Sequence, residues 1–150
     1  MKKLCLILAA VVAAPFAHAQ EEAKLELTGN DMMQYSTKTL EVVSGQKVTL
    51  TFKHIGKLPV IAMGHNVVIL KPGTEIPKVA TACVTAKDTG YIPQDEENKK
   101  LIVAHTDLIG GGETSTVTFT APEPGDYPYV CTFPGHFSIM QGVLTVKPKA

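Results

Sequence analysis

Short runs of alternating or β-branched apolar residues recur along most of the chain. In the run 47–54, Val48, Leu50 and Phe52 alternate with polar residues, which is the pattern of a strand with one buried face. Glycine and proline separate such runs, as at 110–112 and 122–125. Many short strands with such turns are typical of a β-sandwich or a closed barrel. The candidate strands span residues 24–28, 33–35, 40–43, 47–54, 66–70, 101–104, 114–120, 126–132 and 142–146.

One segment departs from the strand pattern. Its apolar residues recur at the i, i+3, i+4, i+7, i+8 spacing that predicts an amphipathic helix. Pro77 suits the first turn of this helix and Gly90 suits a stop beyond its end. We expect residues 71–100 to form a flap that carries the helix between two strands, with Cys83 as a small buried residue. The apolar stripe consists of Ile76, Val79, Ala80, Cys83 and Val84.

The first nineteen residues have the features of a secretory signal peptide. Lys2 and Lys3 begin the chain, residues 4–16 form an apolar run shorter than a membrane span, and Ala17-His18-Ala19 provides a cleavage site before Gln20. We therefore expect residues 1–19 to be removed and residues 20–150 to form one domain. The mature protein is expected in the periplasm without a membrane anchor.

The charge of the chain indicates no highly charged partner. All 14 basic residues are lysines, and they are balanced by 14 aspartates and glutamates. Without Lys2 and Lys3, 12 lysines remain against those 14 acids, a formal charge of −2. A chain so close to neutral is not expected to bind nucleic acid or an anionic membrane surface.

The mature chain retains two cysteines, Cys83 and Cys131. In an exported protein a disulfide between them is one interpretation. The surroundings of Cys131 favour another, because the segment YVCTFPGHFSIMQGVLTV places Cys131, His136 and Met140 around a Pro-Gly turn between two candidate strands. This spacing fits no helix face and has no evident packing reason.

A thiolate, an imidazole and a thioether around one point form a soft set of metal ligands. Soft sulfur ligands select copper over magnesium, calcium or manganese. Zinc remains an alternative, although its tetrahedral sites normally use Cys, His and carboxylate ligands. A second imidazole would complete a trigonal copper site, and His65 is the best candidate, because a loop there enters the apolar run 66–70.

The segments that hold these residues resemble the azurins, bacterial electron carriers of the cupredoxin family of type 1 blue copper proteins. They are LTGNDMMQY, MGHNVVIL, AHTDLIG and VTFTAPEPGDYPYVCTFPGHFSIMQGVLTV, and the resemblance runs from about Lys24 to Lys147. The spacing Cys-x₄-His-x₃-Met is azurin-like, whereas plastocyanin and amicyanin have shorter ligand loops. The resemblance implies an all-β fold, an eight-stranded Greek-key sandwich or barrel with one short helix in a flap.

The resemblance also implies a site for one copper ion per chain. By position in the sequence, His65, Cys131 and His136 would be the equatorial ligands. Met140 would be the axial ligand, and the backbone carbonyl of Gly64 would make a weak contact on the opposite side.

The resemblance further implies that neighbouring residues support this site. Asn66 matches an asparagine that ties the two ligand loops together, and the backbone N–H groups of Asn66 and Phe133 should point at the sulfur of Cys131. His54 matches a non-ligand histidine packed near the site. It either titrates with the oxidation state of copper or is an ordinary strand histidine. His105 is expected at the surface.

The chain departs from the azurin pattern in two features. Azurins generally carry an N-terminal disulfide, but the matching positions near Ala23 and Gln46 hold no cysteine. Val67 takes the place of the buried tryptophan that follows the His-Asn pair in many azurins. Neither change affects the expected ligands.

The function implied by the resemblance is one-electron transfer between redox proteins, without enzymatic activity. A monomer would exchange electrons with a donor and an acceptor, for example a c-type cytochrome or a periplasmic reductase, through an apolar patch around His136. Copper storage or delivery is an alternative that predicts exposed Met-rich or His-rich tracts. A copper enzyme is another, and it requires a second metal site. The expected patch consists of Met33, Leu58, Pro59, Ala62, Met63, Phe133, Gly135, Ser138 and Ile139.

Overall fold

The computed structural model describes residues 22–150, which form two β-sheets packed face to face. The expected signal peptide, residues 1–19, lies outside the described residues. The strands are β1 (Ala23–Asn30), β2 (Gln34–Tyr35), β3 (Thr39–Val43), β4 (Lys47–His54), β5 (Val68–Leu70), β6 (Ile102–His105), β7 (Thr114–Thr120), β8 (Gly125–Val130) and β9 (Gln141–Lys147). The helices are α1 (Val60–Met63), α2 (Ile76–Val84) and α3 (Glu96–Lys99), with a 3₁₀ turn at Lys87–Thr89.

The order of the strands shows a Greek-key type of connection. One sheet has the order β2-β1-β4-β7 and the other has the order β3-β9-β8-β5-β6. The chain crosses between the sheets after β2, β3, β4, β6 and β7. Two neighbouring pairs, β1 with β4 and β3 with β9, run parallel. The predicted all-β sandwich is therefore confirmed, and the two-residue β2 raises the strand number from eight to nine in the described part of the chain.

The alternation in the sequence decides which side chains fill the space between the sheets. In β4, Val48, Leu50 and Phe52 are fully buried, while the residues between them face outward. Leu144 and Val146 of β9 meet them from the opposite sheet as part of the same core cluster. Burial of these apolar side chains is the main stabilising contribution to such a sandwich.

Two of the strand ends that differ from the prediction lie beside the expected metal ligands. The run 66–70 was predicted as strand, but β5 begins only at Val68. The run 126–132 was likewise predicted, but β8 ends at Val130. The reason is that Asn66 and Thr132 bond to each other through the Asn66 side chain instead of joining a strand ladder.

The predicted helix is confirmed as α2, but its end differs. The helix stops at Val84 with Thr85 as the C-cap, and Gly90 instead ends the 3₁₀ turn with a left-handed φ of 66°. The one-turn helices α1 and α3 were not predicted, since four residues are too few to show a helical period. Among residues 22–150, no helix combines the length and apolar character that crossing a membrane requires.

The flap covers a second, smaller core on the outer side of β5. Val79 and Cys83 of α2 pack there against Val68, Leu70 and Val130. Cys83 is fully buried, as predicted, and both it and Cys131 are free thiols. The alternative of a Cys83–Cys131 disulfide is therefore wrong.

Substitution of Val79 tests the orientation of α2. Val79 is 1% exposed, whereas Val84, the last residue of the helix and part of the predicted stripe, is 47% exposed. We expect Val79→Ala to lower the free energy of unfolding by about 2 kcal/mol, because it removes two buried methyl groups. The matched change Val84→Ala should lower it by less than about 0.5 kcal/mol. Urea unfolding of both variants measures the difference, and equal losses would contradict this orientation.

Candidate metal centre

Three donor atoms meet at one end of the sandwich. His65 lies in the connection between α1 and β5, Cys131 directly follows β8, and His136 lies in the connection between β8 and β9. The Sγ atom of Cys131 is 3.7 Å from Nδ1 of His65 and 3.6 Å from Nδ1 of His136. The two Nδ1 atoms are 3.2 Å apart. The structure thus brings together the three residues predicted as equatorial ligands.

These donors are almost completely removed from water. His65 and Cys131 are 0% exposed, and His136 retains 4%. Burial lowers the pKa of His65 and lowers that of His136 to about 4, because a charged imidazolium is poorly solvated there. Both rings are therefore neutral near pH 7, which is the form of histidine that binds metals.

A backbone contact selects the tautomer of His65. Its Nε2 lies 2.9 Å from the carbonyl oxygen of Asn30, at the end of β1. A carbonyl oxygen can only accept a hydrogen bond, so Nε2 carries the hydrogen. The lone pair of Nδ1 then faces Cys131, and the second nitrogen is fixed as metal-binding histidines usually require.

The thiol of Cys131 is fully buried, and two backbone N–H groups donate to its sulfur. Burial raises its pKa to about 12, while hydrogen bonds from the backbone N–H groups of Asn66 and Phe133 act in the opposite direction. Both N–H contacts were predicted, and both are confirmed. The carbonyl oxygen of Gly64 lies 3.9 Å from the sulfur. A side chain at Gly64 would clash, since its Cβ would lie 2.7 Å from the carbonyl oxygen of Val60.

Backbone hydrogen bonds close the loop from Cys131 to Met140. The N–H of Cys131 donates to the carbonyl of Met140 at 3.0 Å, and the N–H of Met140 donates to the carbonyl of His136 at 2.8 Å. The N–H of His136 donates in turn to Phe133. Gly135 adopts a φ of 84° at the bend, a conformation that favours glycine. The loop is therefore held in one shape by the chain itself.

Met140 is fully buried and belongs to the same core cluster as Cys131. Its terminal methyl group packs against Gly29 of β1. A Cβ atom at Gly29 would lie only 2.9 Å from both Met140 Cε and Phe52 Cζ. The missing side chain of Gly29 thus provides the space for Met140.

The side chain of Asn66 joins the two ligand-bearing segments. Its Oδ1 accepts the N–H of Thr132 at 2.9 Å, and its Nδ2 donates to Oγ1 of Thr132 at 2.8 Å. Nδ2 also donates to the carbonyl of Gly90, and the carbonyl of Asn66 accepts the hydroxyl of Tyr35. The predicted tie between the loops is confirmed, and it extends to the flap and to β2.

The Sγ atom of Cys131 and the Nδ1 atoms of His65 and His136 form a triangle, which we call the donor triangle. Its size fits a first-row transition metal. A point equidistant from the three donor atoms lies about 2 Å from each of them, which is the length of a typical metal–nitrogen bond. Two imidazoles and one thiolate in a trigonal arrangement, with a thioether nearby, are the donor set of blue copper sites. The residues therefore fit a copper ion.

Comparison with known proteins agrees with this donor set. The profile of the copper binding proteins of the plastocyanin/azurin family matches residues 21–147.

The chain belongs to the plastocyanin/azurin family.

Relatives of this azurin-family chain cover most of its length. Azurin of Alcaligenes faecalis is 40% identical over 124 residues, which are 80% of this chain and 94% of that protein. Outer membrane protein H.8 of Neisseria gonorrhoeae is 43% identical over 120 residues, which are 78% of this chain but only 63% of that protein. Auracyanin A, a "blue" copper protein of Chloroflexus aurantiacus, superposes with a TM-score of 0.76 at 35% identity, covering 85% of this chain and all of that one.

The family membership confirms copper as the cofactor, and with it the preference for copper over zinc. The expected azurin and cupredoxin resemblance is likewise confirmed. Val67, at the position of the family tryptophan, is fully buried as a core residue, and His105 is exposed as expected.

His54 lies against the centre of this azurin-family chain without sharing the donor triangle. Its ring stacks on that of His65 with a centroid distance of 4.4 Å. Nε2 lies 2.9 Å from the carbonyl of Met63, and Nδ1 accepts the N–H of Gly56. The predicted packing near the site is confirmed. Whether His54 responds to the oxidation state of copper stays a prediction.

Several contributors were not predicted from the sequence. Asn30 acts through a backbone carbonyl, which carries no sequence signal. Gly29 acts through the absence of a side chain. Thr132 could have been found, since a hydroxyl residue directly after a ligand cysteine is well placed to bond a neighbouring loop.

Substitution of Asn66 tests the tie between the loops. Asn66→Leu keeps the volume but leaves the buried N–H of Thr132 without an acceptor, at a cost of about 1–3 kcal/mol. The control Thr132→Val keeps that N–H bonded to Asn66 and removes only the hydroxyl partner, so we expect a clearly smaller loss. Urea unfolding of the copper-free proteins measures both. If both substitutions cost the same, the N–H contact is not the dominant part of the tie.

Proposed function

We propose that this chain is a periplasmic electron carrier, not an enzyme, that exchanges single electrons between redox proteins. One copper ion would be held by His65, Cys131 and His136, with the Met140 thioether and the carbonyl of Gly64 as weaker ligands. The observation that carries the proposal is the buried donor triangle, whose sides measure 3.2–3.7 Å.

When bound, copper supplies the Cu(I)/Cu(II) one-electron couple. The residues of the chain supply a nearly fixed set of donors. His65 is held by Asn30, Cys131 by two N–H groups, and His136 by the closed loop. Donors that cannot rearrange between oxidation states keep the reorganisation cost of electron transfer low. The axial ligand and the hydrogen bonds to sulfur also tune the reduction potential.

The exit for electrons is proposed at His136. It is the least buried of the four side-chain ligands, and the ring of Phe133 lies 4.7 Å from its own ring. Exposed apolar side chains occur on the connections beside it, with Ile61 at 79% and Ile139 at 53% exposure. We call these residues the apolar face: Met32, Met33, Leu58, Pro59, Val60, Ile61, Ala62, Met63, Phe133, Gly135, Ser138 and Ile139.

Exposed apolar surface of this kind marks a site of protein interaction. Redox partners form short-lived complexes over small interfaces. An apolar face suits such complexes, because it provides contact area without strong specific bonds. The expected signal peptide supports export, and the absence of metal-site histidines flanking Cys131, which lies between Val130 and Thr132, supports a carrier over a copper enzyme.

The ligand assignment is tested by Cys131→Ser. A hydroxyl is a poor ligand for copper, so the intense blue thiolate-to-copper absorption should be lost, while the copper-free variant should unfold near the wild-type urea concentration. Cys83→Ala is the matched control, because it removes the other thiol and should retain the blue band. Blue absorption in Cys131→Ser would refute the assignment.

The exit is tested by Ala62→Glu, which places a carboxylate on the apolar face. Burying that charge between two copies is costly, and the two carboxylates repel each other. We expect electron self-exchange to slow by about tenfold or more with an unchanged visible spectrum. Thr120→Glu adds the same charge at the far end of β7 and should leave the rate nearly unchanged. NMR line broadening in mixtures of reduced and oxidised protein measures the rate, and equal rates in both variants would place the exit elsewhere.

A further inference from the structure

Two side-chain hydroxyls hold a single peptide group beside the metal centre. The carbonyl of Asn66 accepts the hydroxyl of Tyr35 at 2.5 Å. The N–H of Val67 donates to Oγ1 of Thr106 at 2.9 Å. This carbonyl and this N–H belong to one planar peptide group. Because Asn66 directly follows the proposed ligand His65, the two hydroxyls hold the ligand-bearing segment at both ends of that peptide plane.

The two hydroxyls come from different sheets. Tyr35 lies in β2 of the four-stranded sheet, and Thr106 directly follows β6 of the five-stranded sheet. The ring of Tyr35 packs edge-on against Phe52 and Tyr129, with centroid distances of 5.9 and 5.4 Å. Thr106 is buried, and its backbone N–H donates to the carbonyl of Val67 at 3.0 Å. Both hydroxyls are therefore fixed by contacts other than the peptide group that they hold.

The hydroxyl of Tyr35 keeps its proton and stays a donor. Burial raises the pKa of Tyr35 well above its usual value, because a phenolate would be poorly solvated there. A donor on the carbonyl of a peptide group polarises that group and strengthens the hydrogen bond that its N–H donates. The bond from Tyr35 should therefore strengthen the bond from Val67 to Thr106.

The held peptide group adjoins the N–H that contacts the thiol. The backbone N–H of Asn66 donates to the sulfur of Cys131, and the Asn66 side chain bonds to Thr132. With both its side chain and its carbonyl bonded, the Cα of Asn66 has little freedom to move. The nitrogen attached to that Cα then keeps its N–H directed at the sulfur. Hydrogen bonds to the cysteine sulfur are among the features that set the potential of a blue copper site.

We propose that Tyr35 and Thr106 are positioning residues for the metal centre, which hold the 66–67 peptide group so that the N–H of Asn66 keeps its bond to Cys131. This inference rests on the proposed ligand set, since it concerns the thiolate of Cys131. Loss of either hydroxyl would weaken the N–H bond and leave more negative charge on the sulfur. More charge on the sulfur stabilises Cu(II) over Cu(I), so the reduction potential would fall.

The copper-free protein provides the first test, by NMR of the backbone N–H of Val67. Tyr35→Phe removes the hydroxyl and keeps the ring, so we expect the Val67 amide proton to move upfield as its bond to Thr106 weakens. Tyr129→Phe is the matched control, because it removes a tyrosine hydroxyl of the same core that bonds to Thr37 at 2.8 Å. The control should leave the Val67 proton nearly unchanged. Equal shifts in the two variants would overturn the coupling through this peptide group.

The second test is the reduction potential of the copper-loaded variants, measured by redox titration. We expect Tyr35→Phe and Thr106→Val each to lower the ratio of Cu(I) to Cu(II) affinity by about threefold, which is about 28 mV at about 59 mV per tenfold for one electron. The change is limited, because the N–H of Ile109 also bonds the carbonyl of His65, which shares a peptide group with the N–H of Asn66. Thr106→Ser keeps the hydroxyl and should retain the wild-type potential.

The double variant Tyr35→Phe/Thr106→Val distinguishes a joint role from two separate ones. Because both hydroxyls act on one peptide group, its potential should fall by less than the sum of the two single changes. Additive changes would overturn the joint role. Equal potentials in Thr106→Val and Thr106→Ser would show that packing, not the hydroxyl, matters at this position. A potential in Tyr35→Phe no lower than in Tyr129→Phe would overturn the proposal.

Cys131→Ser separates this failure from failure of the proposed function. If Cys131→Ser loses the blue band but Tyr35→Phe keeps the wild-type potential, the ligand assignment stands and the positioning role is wrong. If Cys131→Ser keeps the blue band, the ligand assignment is wrong and the positioning role falls with it.

Discussion

Two hydrogen bonds between Asn66 and Thr132 fix the segments that carry the ligands relative to each other. These residues are 66 positions apart in the sequence, and each lies next to a proposed ligand, His65 on one side and Cys131 on the other. Without that tie, the 3.7 Å separation between the two donors would depend on loops alone. With it, the neutral imidazoles and the buried thiol stay assembled whether or not a metal is bound.

Burial gives these bonds their importance. In a site closed to water, a lost hydrogen bond cannot be replaced by solvent, so the polar contacts are strongly maintained. The same closure keeps the histidines unprotonated and disfavours any ligand except one that fits the triangle. The sandwich thus serves the metal centre chiefly by excluding water and by supplying rigid strand ends.

The sequence predicted the strands well because most of them have one buried face, as Val48, Leu50 and Phe52 of β4 show. It predicted the donors because Cys131, His136 and Met140 lie close together in the chain and His65 lies where a loop enters an apolar run, and the resemblance added Gly64. It did not predict α1, whose single turn leaves Ile61 exposed, nor the carbonyl of Asn30 beside His65. Such features depend on how distant segments pack together. A backbone carbonyl is present in every residue, so the sequence does not show which one takes part in the site.

The position of Gly29 reveals a division of work between the two sheets. All the proposed side-chain ligands lie on segments that lead into or out of strands of the five-stranded sheet, whereas β1 of the four-stranded sheet offers the carbonyl of Asn30 and the space left by Gly29. The five-stranded sheet therefore positions the proposed ligands, and the four-stranded sheet packs against them and limits how far they can move. Inherited variation in the four-stranded sheet would alter the copper chemistry without touching a single ligand.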